Sequence, residues 1–114
     1  PVTREGDRVL GKVGSDLDVA AAYDAARLVG LGILSTITRE VGDLTRVAHV
    51  LKLLGMVNAA PGFTDAPAVV DGCSDVLLEV LGPEVGAHAR SAVCVAELPF
   101  GIAVEVEAVI ALRD

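Results

Sequence analysis

The chain has 114 residues, enough for one domain around one core and no second. Nine Lys and Arg against sixteen Asp and Glu leave a net charge of -7, and aromatic residues make up only 3%, so neither phosphate-backbone recognition nor base stacking has the residues it needs. A hydrophobic fraction of 53% exceeds what a monomer of this size can hide and predicts self-association, yet no stretch reaches the roughly 18 to 20 uncharged apolar residues of a membrane span.

Val2 to Leu10 reads as the remnant of a strand and turn, with Arg4, Glu5, Gly6 and Asp7 as the turn cluster. Gly11 and Gly14 lead into a helix that Asp18, or Asp16 as second choice, caps at its open N–H groups, and that Gly42 and Asp43 stop. Ala22, Ala26, Val29, Ile33 and Ile37 form its apolar stripe. Asp24, Arg27, Arg39 and Glu40 interrupt it as a membrane span. Gly30 and Gly32 each cost about 1 kcal/mol against alanine in a helix, which predicts a close approach to a sheet.

Val47 to Val57 is the predicted central strand, with Val47, Leu51, Leu53 and Val57 on one side and Ala48, Val50, Leu54 and Met56 on the other. A strand apolar on both sides needs cover on both. Two helices cover one face, so a second copy of the chain is expected on the other. Asn58 to Gly62 is a loop by composition. Thr64 or Asp65 opens the second helix, with Pro67 in its first turn, and Gly82-Pro83 ends it near Leu81.

From Ala89 to Ala111 two strands follow. In the second, Ile102, Val104, Val106, Ala108, Ile110 and Leu112 form a core face, whereas the other face mixes Ala103, Val109 and Ala111 with Glu105 and Glu107. In the first, Arg90, Ala92, Cys94 and Ala96 share a face opposite Val93 and Val95. The order β-α-β-α-β-β defines an α+β domain over residues 1–114. If the central strand separates the last two, the Arg90 and Glu105 backbones lie about 10 Å apart, leaving a gap sized for a small acid. A tight hairpin would instead offset them along the strands, and the pattern leaves both arrangements open.

Cys73 and Cys94 make neither a disulfide framework nor a metal motif and are expected as buried free thiols in a reducing cytoplasm. His49, taken as a partly buried core-strand residue, and His88, taken as a surface-loop residue with a place near a cleft beside the ARS motif as the alternative, are too far apart to start a metal site. Ser91 and Cys94 have no neighbouring histidine, which argues against covalent catalysis. Phe63 and Phe100 are expected to pack. No signal peptide or initiator methionine is visible.

The segments ARSAV, ELPFG and VEVEAVIAL, in that order and spacing, resemble the C-terminal signature of the RidA (YjgF-like) family of reactive-intermediate deaminases, whose members have also been described as endoribonucleases or translation inhibitors. GKVGSDLDVAAAYDAARL, the run from Val47 to Val57 and APGFTDAPAVVDGCSDVLLEVLG extend the resemblance to nearly the whole chain, closest to a branch of less settled function. It implies a chorismate mutase-like fold: a mixed sheet backed by two helices, with three copies closing their open faces into a trimeric barrel that has clefts between subunits. It also implies that PVTREGDRVLGKVG is the end of an N-terminal hairpin whose first strand and most of whose second are missing.

For the site, the resemblance implies that Arg90 holds a substrate carboxylate and that Glu105 orients the water attacking an imine carbon. From the residues alone, Arg90 has an alternative as half of an ion pair with Glu105, Glu107 or an acid of another subunit, and Glu107 reads as structural. Two positions depart from the family pattern: Ala92 stands where a substrate-lining cysteine is common, with Cys94 two residues on, and Asp71 stands where asparagine is common. The implied reaction is cofactor-free hydrolysis of small 2-imino or enamine acids to 2-oxo acids and ammonia by a cytoplasmic homotrimer. The alternative is a non-catalytic protein that binds small carboxylate metabolites; a nuclease is a distant third.

Overall fold

In the computed structural model, residues 1–3 and 5–114 are described; Arg4 of the expected turn cluster lies outside them. Asp18 accepts a hydrogen bond from the Ala21 N–H at 2.8 Å and opens helix α1, Val19–Val41, which stops where Gly42 takes φ 89° and donates its N–H to the Thr38 carbonyl. Strand β1 spans Val47–Asn58. Asp65 caps helix α2, Ala66–Val85, and Gly82, at φ 87° and ψ 166°, breaks it just before Pro83, so the final turn leaves the helix axis where the sequence places the stop. Strands β2, Ala89–Val95, and β3, Val104–Leu112, complete the chain. Isolated bridges pair Val2 with Arg8 and Leu10 with Ile102, in place of a regular first strand.

The strand order is β2-β1-β3, with β1 parallel to β2 and antiparallel to β3. The parallel pair requires a crossover, and α2 supplies it. Both helices pack on one face of this mixed sheet, where Val50, Leu53, Val57, Val69, Val70 and Leu77 are buried.

Strand β1 corrects the expected alternation. Its register against β3 slips between Val47 and His49 and again between Val50 and Lys52, and each extra residue reverses the facing of those before it. Val47, Val50, Leu53 and Val57 therefore all lie buried, while Leu51 and His49 are exposed. The apolar stripe of α1 is also displaced: Ala25, Gly30 and Leu34 are buried beside Ala22, Ala26 and Ile37, whereas Val29 and Ile33 are only partly so.

Gly30 makes its close approach to Val76 and Cys73 of α2 rather than to the sheet, and Gly32 meets nothing. A Cβ on Gly72 would lie 2.1 Å from the Tyr23 carbonyl oxygen, so small residues let the two helices cross in near contact. Outside that crossing, the Tyr23 hydroxyl donates to Asp75 at 2.5 Å and Arg27 forms a two-pronged pair with Glu79 at 3.1 Å. Although α1 has the length and mean hydropathy of 1.2 of a weak membrane-span candidate, it is a core helix of this fold.

The other sheet face carries Lys52, Leu54 and Met56 of β1, Ser91 and Val93 of β2, and Glu105, Glu107 and Val109 of β3, as the registers dictate. Neither helix lies over it. Val93 and Val109 are 42% and 56% exposed there, apolar side chains on a face that is otherwise mixed, with Lys52 donating to Ser91 at 2.9 Å, and that has no cover from the described residues.

Candidate functional site: an arginine between a helix face and an edge strand

Arg90 sits second in edge strand β2, in register with Leu53, and so projects to the helix-covered side. At that height α2 presents Asp71, Ser74 and Leu78, residues spaced i, i+3 and i+7 along one face. The Arg90 Nη1 group donates to Asp71 Oδ1 at 2.8 Å and to Ser74 Oγ at 3.2 Å. Its ion-pair partner is thus Asp71, and neither Glu105 nor Glu107 takes part in an ion pair among the described residues.

Behind the guanidinium runs a polar relay. His88 Nε2 lies 2.8 Å from Ser74 Oγ, and His88 Nδ1 lies 2.6 Å from the Gly86 carbonyl oxygen. A carbonyl only accepts, which assigns the proton to Nδ1; Nε2 then accepts from the Ser74 hydroxyl, whose lone pairs receive the arginine N–H. The helix break at Gly82 makes this possible, because the turn it begins ends with the Gly86 N–H on the Gly82 carbonyl at 2.9 Å and returns the chain beside Ser74.

Asp71, Ser74, Leu78, Ala87, His88 and Arg90 line a cleft of about 310 Å³. The Arg90 side chain is 23% exposed and that of Asp71 51%. Nη1 spends both its hydrogens on Asp71 and Ser74, and none of the described residues accepts from Nε or Nη2. The cleft can therefore offer a carboxylate two parallel N–H donors in the fork geometry that suits it.

His88 lies in the loop before β2, as expected, but half-buried in the cleft rather than at the surface, and Ser74 was not singled out from the sequence. Two signals point to them. Ser74 follows Asp71 by one helical step, and His88 precedes Arg90 by one strand repeat, so each shares a face with a residue already singled out.

The other candidates lie apart. Ala92 is on the Arg90 face, in register with Gly55 and half-buried against the core. Cys94, expected buried, is exposed near the end of the edge strand, with Sγ 3.5 Å from the Phe63 carbonyl oxygen. It lines a separate depression of about 370 Å³ with Lys12, Phe63 and Glu97. There the Lys12 ammonium donates to Asn58 Oδ1 at 2.9 Å and to the Ala96 carbonyl, and pairs with Glu97 at 3.3 Å. Phe63 packs against the core, whereas Phe100 is 74% exposed with the Arg8 guanidinium 4.1 Å above its ring.

Glu105 is in register with Met56 and half-buried on the open sheet face. Within one protomer it faces away from Arg90, and with β1 between them and three residues of offset the two backbones lie about 14 Å apart. Cys73 is buried beneath the cleft, and burial pushes its thiol up to about 11, against a smaller opposing pull from Arg90. Among the described residues no group of three His, Cys, Asp or Glu side chains is placed to hold a metal ion. A groove of about 830 Å³ between α1, β3 and residues 1–3 has no charged side chain in its lining.

Residues 5–108 match the family described as "YjgF/chorismate mutase-like, putative endoribonuclease". Protein TCP17 of Trypanosoma cruzi is 45% identical over all 114 residues, which span 71% of its length. Among solved structures, the Agrobacterium tumefaciens protein Atu1372, of unknown function, superposes with a TM-score of 0.91 at 38% identity over 96% of this chain and 71% of its own. A structure described as a putative endoribonuclease from Shewanella oneidensis superposes with a TM-score of 0.82 at 30% identity over 86% of this chain and 64% of its own. The three-stranded mixed sheet backed by two helices is the architecture shared with these neighbours, and the chain belongs to the YjgF/chorismate mutase-like family.

Proposed function

We propose that the protein hydrolyses small 2-imino and enamine acids to 2-oxo acids and ammonia, with Arg90 holding the carboxylate of the substrate. The observation that carries this reading is the half-buried Arg90 guanidinium, fixed from behind by Ser74 and His88 and from one side by Asp71, with Nε and Nη2 left for a ligand. Imines of this kind already hydrolyse in water, so the protein needs to contribute only positioning and water activation. No cofactor is required for that chemistry.

The uncovered sheet face, with Val93 and Val109 exposed on it, supports association of copies into a homotrimer with clefts between subunits. Because Glu105 lies on that face and Arg90 on the other, the water-orienting carboxylate in a given cleft belongs to the neighbouring copy. Two free thiols and a charged, core-packed α1 fit a cytoplasmic protein. The net charge of -7 disfavours a nucleic-acid substrate, whatever the name of the Shewanella neighbour.

The pairing of Asp71 with Arg90 favours a second reading, in which the cleft binds a small carboxylate metabolite without turnover. To separate the two, 2-iminopropionate is generated in situ and ammonia release is followed with wild type and Arg90→Ala. Acceleration by the wild type that disappears in the variant supports the enzyme. No acceleration, with 2-oxobutyrate still bound, supports the binding protein.

A further inference from the structure

We propose that Asp71 makes the Arg90 cleft select ligands with a cationic nitrogen beside their carboxylate, namely 2-amino acids and protonated 2-imino acids, over the corresponding 2-oxo acids. This rests on Arg90 being the carboxylate-binding group and concerns what else the same cleft reads.

The charges in the cleft set the selection. Arg90 and Asp71, 2.8 Å apart, sum to zero. His88 has both ring nitrogens occupied within the protein, and the Ser74 hydroxyl proton is spent on His88. What this chain leaves toward the ligand is one donor edge, Nε and Nη2 of Arg90, and one acceptor, the carboxylate of Asp71, which is half-exposed at the mouth; in the proposed assembly Glu105 of the neighbouring copy adds a second carboxylate that strengthens the same preference. A singly anionic ligand would bring a second carboxylate onto a guanidinium that already has one, setting like charges within about 6 Å of each other. Adding a cationic nitrogen removes that conflict.

The covalent geometry of the ligand completes the fit. In a 2-amino or 2-imino acid one carbon separates nitrogen from carboxylate, so both groups reach the adjacent pair together, the carboxylate on Arg90 and the N–H on Asp71. Leu78 and Ala87, the apolar part of the lining, leave room for a short aliphatic side chain. Hydrolysis of the protonated imine, R–C(=NH2+)–COO− + H2O giving R–CO–COO− + NH4+, replaces a donor nitrogen by a carbonyl oxygen. That oxygen then faces the Asp71 carboxylate, acceptor against acceptor, so the cleft holds its product less tightly than its substrate and releases it.

The test compares 2-aminobutyrate with 2-oxobutyrate, which differ only at this position, by calorimetric titration of wild type, Asp71→Asn and Arg90→Ala at neutral pH. Asp71 is exposed enough for the asparagine variant to fold, and circular dichroism verifies it. Wild type is expected to prefer 2-aminobutyrate by about 10-fold or more, Asp71→Asn to lose most of that preference, and Arg90→Ala to lose both ligands. A wild type that prefers 2-oxobutyrate, or a ratio unchanged in Asp71→Asn, overturns the selection by Asp71, while loss of 2-oxobutyrate binding in Arg90→Ala leaves the role of Arg90 standing. If wild type binds neither ligand, both readings fall.

Discussion

Ser74 Oγ and His88 Nε2, 2.8 Å apart, form the link that joins the Arg90 guanidinium to the main chain at Gly86. Neither side chain has a donor left for a ligand, which makes both positioning residues. Replacing His88 by alanine is expected to raise KM for an imino acid about 10-fold, the equivalent of one hydrogen bond, with kcat changed far less. Ser74→Ala should act in the same direction, and the double variant should be little worse than either single one, since both cut the same chain. Steady-state kinetics on the three variants tests this; additive losses would place the two residues in separate roles.

The crossing of α1 and α2 makes glycine requirements that differ sharply along the chain. A Cβ on Gly72 would fall 2.1 Å from the Tyr23 carbonyl oxygen, a backbone atom that cannot move without shifting the helix, whereas Gly32 is helical and faces open space. Gly72→Ala is expected to cost about 3 kcal/mol or more and lower Tm by roughly 10 °C or more. Gly32→Ala is expected to stabilise by about 1 kcal/mol. Thermal melts of the pair provide the check.

Burial raises the Cys73 thiol from 9.0 to about 11. Between those values the unfolded chain has released a proton that the folded chain still holds, so stability falls as pH rises through that window. The loss reaches about 2 kcal/mol at its upper end. Denaturant titrations across pH 8 to 11 should show a steeper decline for wild type than for Cys73→Ala. In the native protein a thiol reagent is expected to reach Cys94 far faster than Cys73, since only Cys94 is exposed.

Val109, 56% exposed on the open sheet face, should be dispensable to the fold of one chain and costly to association. Val109→Asp is expected to yield a folded monomer by sedimentation, with imine hydrolysis lost because the cleft lacks its second wall. A variant that remains associated would remove this face from the interface.

Most of the local structure was legible from residues whose chemistry acts at short range. Asp18 and Asp65 as caps, Gly42 as a stop and the break at Gly82-Pro83 all depend on neighbours within a turn. The faces of β2 and β3 followed from simple alternation. Strand β1 did not, because two bulges reverse its facing and nothing in a run of valine and leucine marks where an extra residue enters. The site was half legible: Arg90 and Asp71 stood out singly, but their pairing depends on how α2 crosses the sheet, a long-range fact. The relay through Ser74 and His88 was hidden for the same reason, since the turn after Gly82 is what brings the two together.

Arg90 and Glu105 point to opposite faces of one sheet, and they serve a single reaction only if neighbouring copies share each cleft. Mixing Arg90→Ala with Glu105→Gln subunits tests that directly. If three copies close into a ring, each mixed ring would contain one cleft in which the intact arginine of one subunit meets the intact glutamate of the next. After unfolding and co-refolding in equal amounts, two inactive variants should recover about a quarter of wild-type ammonia release. No recovery from a mixture shown to contain hybrid trimers would contradict a cleft built by Arg90 of one copy and Glu105 of another.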